Sequence, residues 1–312
     1  MSFSPTPIAA TVKHALSGVA IACSLFAAST AHAALNFEFN FSAEPGQLAF
    51  TAEQQQSIVT AGNLFSDVFG KYFSNTATLQ FDVISDGTGV ASAGQALVFN
   101  PDGSNTEVVR TKVITGNDAN GAASDGMINI NLGVYFQFDP NATVDFANGQ
   151  IDLFSVIQHE VTHALGFQSF APSGFASKFD TFLTTTGGTP FVSGGVLNTD
   201  AVQDALANGA FFVGANAVTA YGGSVPISGP DGLLNHLDTF AFSSPEVPQN
   251  ALMLCCGGLN VQFEPRDYNA TEVGILADLG YTLAPIPEPS TYALMLAGLA
   301  GLGFAAKRRT KS

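Results

Sequence analysis

The segment Gln150–Gly166, QIDLFSVIQHEVTHALG, constrains this chain more than any other stretch. Phe154, Ile157, Val161 and Leu165 recur at intervals of three and four, which is one apolar face of a helix and not the alternation of a strand. Asp152 can cap its start and Gly166 is placed to end it. On such a helix His159 and His163 lie one turn apart and project from the same side. Two imidazoles so placed can meet one metal ion, with Glu160 near the ion's open position. Zinc is the expected metal, because it lowers the pKa of bound water towards neutrality and a neighbouring carboxylate can take the proton as that water attacks a carbonyl. The bland alternative is a pair of surface histidines. Histidine usage weighs against it: beyond residue 33 the chain contains only His159, His163 and His236.

Both ends of the chain read as addresses. Residues 1–33 carry Lys13, an apolar stretch Ala15–Ser29 and then Ala31-His32-Ala33, the order of a secretory signal peptide. At the other end, Pro287-Glu288-Pro289 precedes a short apolar segment, Ser290–Ala306, and the basic cluster Lys307, Arg308, Arg309 and Lys311. Taken alone, that pattern predicts a C-terminal membrane anchor or stop, with the basic end on the cytoplasmic side. The order of the three parts resembles the PEP-CTERM sorting signal of Gram-negative bacteria. The resemblance implies transient inner-membrane association through residues 287–312 and processing by an exosortase-type enzyme. The expected location is extracellular, or at the cell surface or its matrix.

Residues 34–286 remain as the folded domain, enough for one large core. Its basic residues are Lys71, Arg110, Lys112, Lys178 and Arg266, while every acidic residue of the chain except Glu288 lies within it. So acidic a surface repels nucleic acid and favours solubility after export, which excludes a nucleic-acid role. Only two cysteines remain, the adjacent Cys255 and Cys256. They form no disulfide framework, and paired and unpaired states both stay open.

Leu35–Phe41 alternates apolar and polar residues and predicts a strand, as do Ala77–Ile84, Ala96–Phe99 and Met127–Phe138. Ala52–Tyr72 carries apolar residues at helical spacing, and Asn269–Tyr281 reads as a closing helix. Turn-rich runs at Gly116–Gly126 and Ser173–Gly195 separate these elements. Asn117–Gly121 holds part of a calcium-loop pattern, but Gly116 occupies the first ligand position and no glutamate closes the loop, so a polar turn is expected. The implied class is α+β, with no internal repeat.

His159-Glu160-Val161-Thr162-His163-Ala164-Leu165-Gly166-Phe167 resembles the zinc helix of the metzincin metalloproteases. In that clan a third ligand follows the glycine closely, at the position of Ser169 here, and serine is no equivalent. The leishmanolysin-like branch shares the same start and separates the glycine from the third histidine by an insertion. The resemblance therefore implies His236 as the third ligand, in Asn235-His236-Leu237-Asp238, and Met253 as the methionine turn beneath the metal. It implies a mainly β N-terminal lobe, an active-site helix and a C-terminal lobe. The implied activity is zinc-dependent hydrolysis of protein or peptide substrates with Glu160 as general base. Asp180 is the rival third ligand. Asp238 either orients His236 or caps a turn, and Tyr268 either polarises the substrate carbonyl or packs at the surface. The alternative function is a non-catalytic extracellular matrix or adhesion protein with a protease-like fold and a structural zinc; an intact Glu160 argues against it.

Overall fold

A computed structural model of the chain describes residues 35–73, 75–229, 233–242, 251–254 and 267–282. The signal at 1–33, the tail at 287–312, Cys255 and Cys256 lie outside the described residues. Among the described residues, no helix is long and apolar enough to cross a membrane.

The first layer is a four-stranded sheet built from β1 (Leu35–Ala43), β2 (Ala77–Ser85), β3 (Ala91–Gln95) and a later strand, β6 (Gly126–Ile130), in the order β1-β2-β6-β3. β1, β2 and β6 are parallel, and β3 closes the edge antiparallel to β6. Alternation along β2 buries Leu79, Phe81 and Val83. Between β1 and β2 runs α1 (Ala52–Phe69), started by a capping box in which Thr51 and Gln54 exchange side-chain and backbone hydrogen bonds. Its Phe65 meets Phe37 edge-on at 5.6 Å, joining the helix to the sheet. The helix expected over Ala52–Tyr72 forms here beside the expected strands. The apolar face of α1 covers the sheet, giving a mixed layer arrangement, and the chain is α+β.

The loop before β6 is the expected polar turn, and the strand expected over Met127–Phe138 is interrupted beyond it. A hairpin of β4 (Leu97–Phe99) and β5 (Asn105–Glu107) leads into α2 (Val108–Thr115). In the following loop Lys112 Nζ lies 3.0 Å from both Asp118 Oδ2 and Asp125 Oδ2, so the partial calcium pattern is a polar turn satisfied by an ammonium. The single strand expected over Met127–Phe138 is broken after Ile130, because Asn131 Oδ1 accepts from the Gly133 N–H at 2.9 Å and turns the chain. It resumes as β7 (Phe136–Gln137), which pairs in parallel with β8 (Ile151–Asp152). The last residue of β8 is the N-cap of α3 (Leu153–Ala164), so this pairing sets where the histidine-bearing helix begins.

α3 packs against β3, β6 and α1. Phe154, Ile157, Val161 and Leu165 are fully buried, as their spacing predicts. Beyond α3 the chain forms a second, three-stranded antiparallel sheet, ordered β13-β12-β9. Its strands are β9 (Leu183–Thr185), β12 (Ala210–Phe212) and β13 (Val225–Ile227), with the small hairpin β10 (Val192–Ser193) and β11 (Val196–Leu197) beside them in sequence. α4 (Thr199–Asn208) and α5 (Ala215–Tyr221) connect the later strands, and α6 (Thr239–Phe242) and α7 (Ala270–Asp278) follow. α7 docks on α5, where the Asp278 carboxylate accepts from the Asn216 and Ala217 N–H groups at 3.0 Å.

Candidate metal centre

α3 is held at both ends by buried groups. Asp152 accepts from the Phe154 and Ser155 N–H groups and, at 2.5 Å, from the Ser155 hydroxyl. At the other end Gly166 adopts φ +103°, a left-handed conformation that lets the chain leave the helix sharply and that side chains disfavour. The turn carries the Phe167 carbonyl back to the helix, where it accepts from His163 Nδ1 at 2.8 Å.

His236 arrives from the second sheet. β13 is prolonged by a bridge between Ile227 and Leu237, and the Ser228 N–H donates to the His236 carbonyl at 2.9 Å. Leu234, buried with φ +55°, bends the chain just before the histidine. Leu237 in turn bridges Leu254, and its N–H donates to the Met253 carbonyl at 2.8 Å. Leu252 and Met253 thus form a buried turn against the strand that bears His236.

The three histidines converge. His159 Nε2 lies 3.0 Å from His163 Nε2 and 3.2 Å from His236 Nε2, and the His163 and His236 Nε2 atoms are also 3.2 Å apart. Three nitrogens bound at 2.0–2.1 Å to one tetrahedral ion are about 3.3 Å apart, so the triangle already has the span of a metal face. The tautomers agree. His159 Nδ1 donates to the Leu252 carbonyl at 2.7 Å and His163 Nδ1 to that of Phe167, which leaves their Nε2 lone pairs facing the centre. Lone pairs this close repel one another unless a cation stands between them. His159, His163 and His236 can therefore hold a metal ion. His163 and His236 are buried and His159 is partly buried.

Burial keeps His159 and His163 neutral. Burial pushes His159 down to about 3, with the neighbouring His236 adding to the shift, and holds His163 well below its ordinary value. Burial pushes Glu160 the other way, up to about 8, against the pull of the Ala93 N–H on its carboxylate. Glu160 Oε2 has no hydrogen-bond partner among the described residues. A buried carboxylate oxygen in that condition is a receptor for a proton-bearing group, such as a water at the open position of an ion. On donor chemistry and on this orphaned atom, the residues fit a metal ion with a bound water.

The remaining candidates are placed elsewhere. Asp180 is corrected as a ligand: it is fully buried and accepts from the Ser169 and Ser177 hydroxyls and the Phe170 and Ser177 N–H groups. The Ser169 to Asp180 contact is 2.5 Å, so the serine at the compact ligand position ties the loop instead. Tyr268 is corrected as a surface or substrate-facing group. Its hydroxyl is 2.8 Å from Thr162 Oγ1, and its ring packs on Phe69 and Tyr72 inside the core, so it braces α3 from within. Asp238 Oδ1 accepts from the Ala241 N–H at 2.9 Å, which is the turn-capping alternative.

Sequence reasoning missed Glu272. It is fully buried on the first turn of α7, where Oε2 accepts from Asn269 N at 2.8 Å and Oε1 from Met253 N at 2.7 Å. Burial pushes its carboxyl up to about 8, against the pull of these N–H groups. The spacing Asn269-x-x-Glu272 is legible as a capping box, but nothing local links Glu272 to Met253.

Fold and site together define an α+β domain with a candidate three-histidine metal centre. Residues 285–309 match the PEP-CTERM protein-sorting motif, the signal that exosortase recognises during export, so the chain carries a signal for export and surface sorting in bacteria. No curated protein and no solved structure matches the chain.

Proposed function

We propose that this chain is an exported zinc-dependent endopeptidase of metzincin type, nearest in pattern to the leishmanolysin-like branch. The observation that carries the reading is the Nε2 triangle of His159, His163 and His236 beside Glu160, whose Oε2 is unpartnered among the described residues. Three imidazoles with an open position are a donor set suited to catalytic zinc. The buried Met253 turn against the His236 strand supports the same family assignment.

When bound, zinc supplies Lewis acidity towards a substrate carbonyl and an attacking water. The chain does the rest. Glu160, between the two ligands on α3, takes the proton of the water and delivers it to the leaving amine. The Ala93 N–H fixes the carboxylate while Oε2 stays free to act. After transient inner-membrane association through residues 287–312, the processed enzyme works outside a Gram-negative cell or in its surface matrix.

Zinc content and casein hydrolysis, each with and without a chelator, test the reading. About one zinc per chain with chelator-sensitive hydrolysis is the expected result. Stoichiometric zinc without hydrolysis of any protein substrate would instead favour a matrix or adhesion protein with a structural clamp.

A further inference from the structure

The geometry points to Glu272 as a positioning residue of the metal centre, acting on His159 through the peptide group that joins Leu252 to Met253. This inference rests on the metal-centre reading above. One peptide unit carries both contacts: its N–H, from Met253, donates to Glu272 Oε1 at 2.7 Å, and its carbonyl, from Leu252, accepts from His159 Nδ1 at 2.7 Å. A peptide unit is planar, so anchoring one edge orients the other. Hydrogen bonds in series through an amide also polarise one another, which makes the Leu252 carbonyl a stronger acceptor and His159 Nε2 a better donor to an ion.

A capping box needs only one acidic oxygen, and a glutamate that serves only as a cap can stay at the surface. Glu272 instead has no exposed surface and sends its second oxygen across to a separate segment. That segment touches the second ligand strand as well, since the Met253 carbonyl accepts from the Leu237 N–H beside His236. Glu272 thereby locks the turn that seats His159 and abuts the strand of His236. Without it the Leu252–Met253 peptide is free to rotate, and both ligands lose their common brace.

The test uses the exported chain with Glu272→Gln and Glu272→Ala. Zinc affinity is read by chelator competition, and ligand geometry by the visible spectrum of the cobalt-substituted protein. Glu272→Ala should weaken zinc binding by about 10- to 100-fold, as loss of an outer hydrogen-bond partner typically does, and shift the cobalt bands. Glu272→Gln keeps one carbonyl acceptor and should fall between the two; it carries the test if the alanine variant does not fold. Asp125→Asn is the control: it alters a buried carboxylate bound to Lys112 and the Gln80 N–H, and should lower Tm in the metal-free protein without moving zinc affinity. A Glu272 variant with lowered Tm but wild-type zinc affinity and cobalt spectrum would reduce Glu272 to a helix cap and overturn the inference. Failure of the wild-type chain to bind zinc would overturn the metal-centre reading itself, a separate and distinguishable result.

Discussion

His159 and His236 are 77 positions apart in the chain, yet their Nε2 atoms lie 3.2 Å apart and their rings stack at 24°. The Nδ1 proton of His159 is committed to the Leu252 carbonyl, which turns its Nε2 lone pair toward His236 and makes a shared cation between the rings favourable. The first prediction follows. His236→Ala should abolish stoichiometric zinc and hydrolysis together, since two histidines hold zinc weakly. Ser169→Ala should keep its zinc, measured by atomic absorption, because Ser169 serves Asp180 and not the centre. Zinc retained in His236→Ala would contradict the three-histidine site.

Glu160→Ala separates chemistry from binding. The variant should carry about one zinc per chain and lose hydrolysis by roughly 10²- to 10⁴-fold, the span expected for a positioned general base. Near wild-type turnover with zinc in place would mean that another group moves the proton.

The buried histidines also set a pH dependence in the metal-free protein. Folding holds His159 down to about 3 and His163 well below its ordinary value, whereas unfolded histidine titrates near 6.5. Between about 3 and 6.5 the unfolded chain therefore binds more protons, so stability rises with pH and is lost as pH falls below about 6.5. Each such residue contributes a slope of at most about 1.4 kcal/mol per pH unit. Urea unfolding in chelator between pH 4 and 7 should show a shallower slope for His159→Ala than for wild type. Equal slopes would mean that the ring is solvated in the metal-free protein.

Tyr268 bonds Thr162 from within the core, so Tyr268→Phe should cost about 1 kcal/mol of stability and leave turnover within about two-fold. A large loss of kcat with unchanged zinc would restore Tyr268 to the substrate side.

Deleting Pro287–Ser312 should leave the isolated domain soluble and active in vitro while misdirecting it in its host, in keeping with the sorting motif at 285–309. An inactive or aggregated truncation would assign the tail a part in folding.

Much of the scaffold was legible because the relevant forces are local. The apolar faces of α1 and α3, the alternation of β2 and the cap at Asp152 are all set within a few residues. Misreadings arose where one polar contact outweighed periodicity, as at Asn131, which ends β6 inside a continuous apolar pattern. They also arose where a residue type was ambiguous without its neighbours. Asp180 has the chemistry of a ligand and spends it on two serines, and Tyr268 has the chemistry of a substrate contact and points into the core.

By itself the sequence determined the pair His159 and His163 with Glu160 between them, because helical geometry places residues four apart on one side whatever surrounds the helix. It also carried the sorting signal, which is a linear pattern. The resemblance implied His236 as the third ligand, but only tertiary structure brings it to the triangle, because its place depends on the register of β13, the bend at Leu234 and the bridge to Leu254. Tertiary structure alone decided that Glu272, not Asp238, stands behind the ligand set, through a peptide that neither residue's neighbours in sequence reveal. Contacts across such separations follow from how two sheets and α7 pack, and that is a property of the whole core.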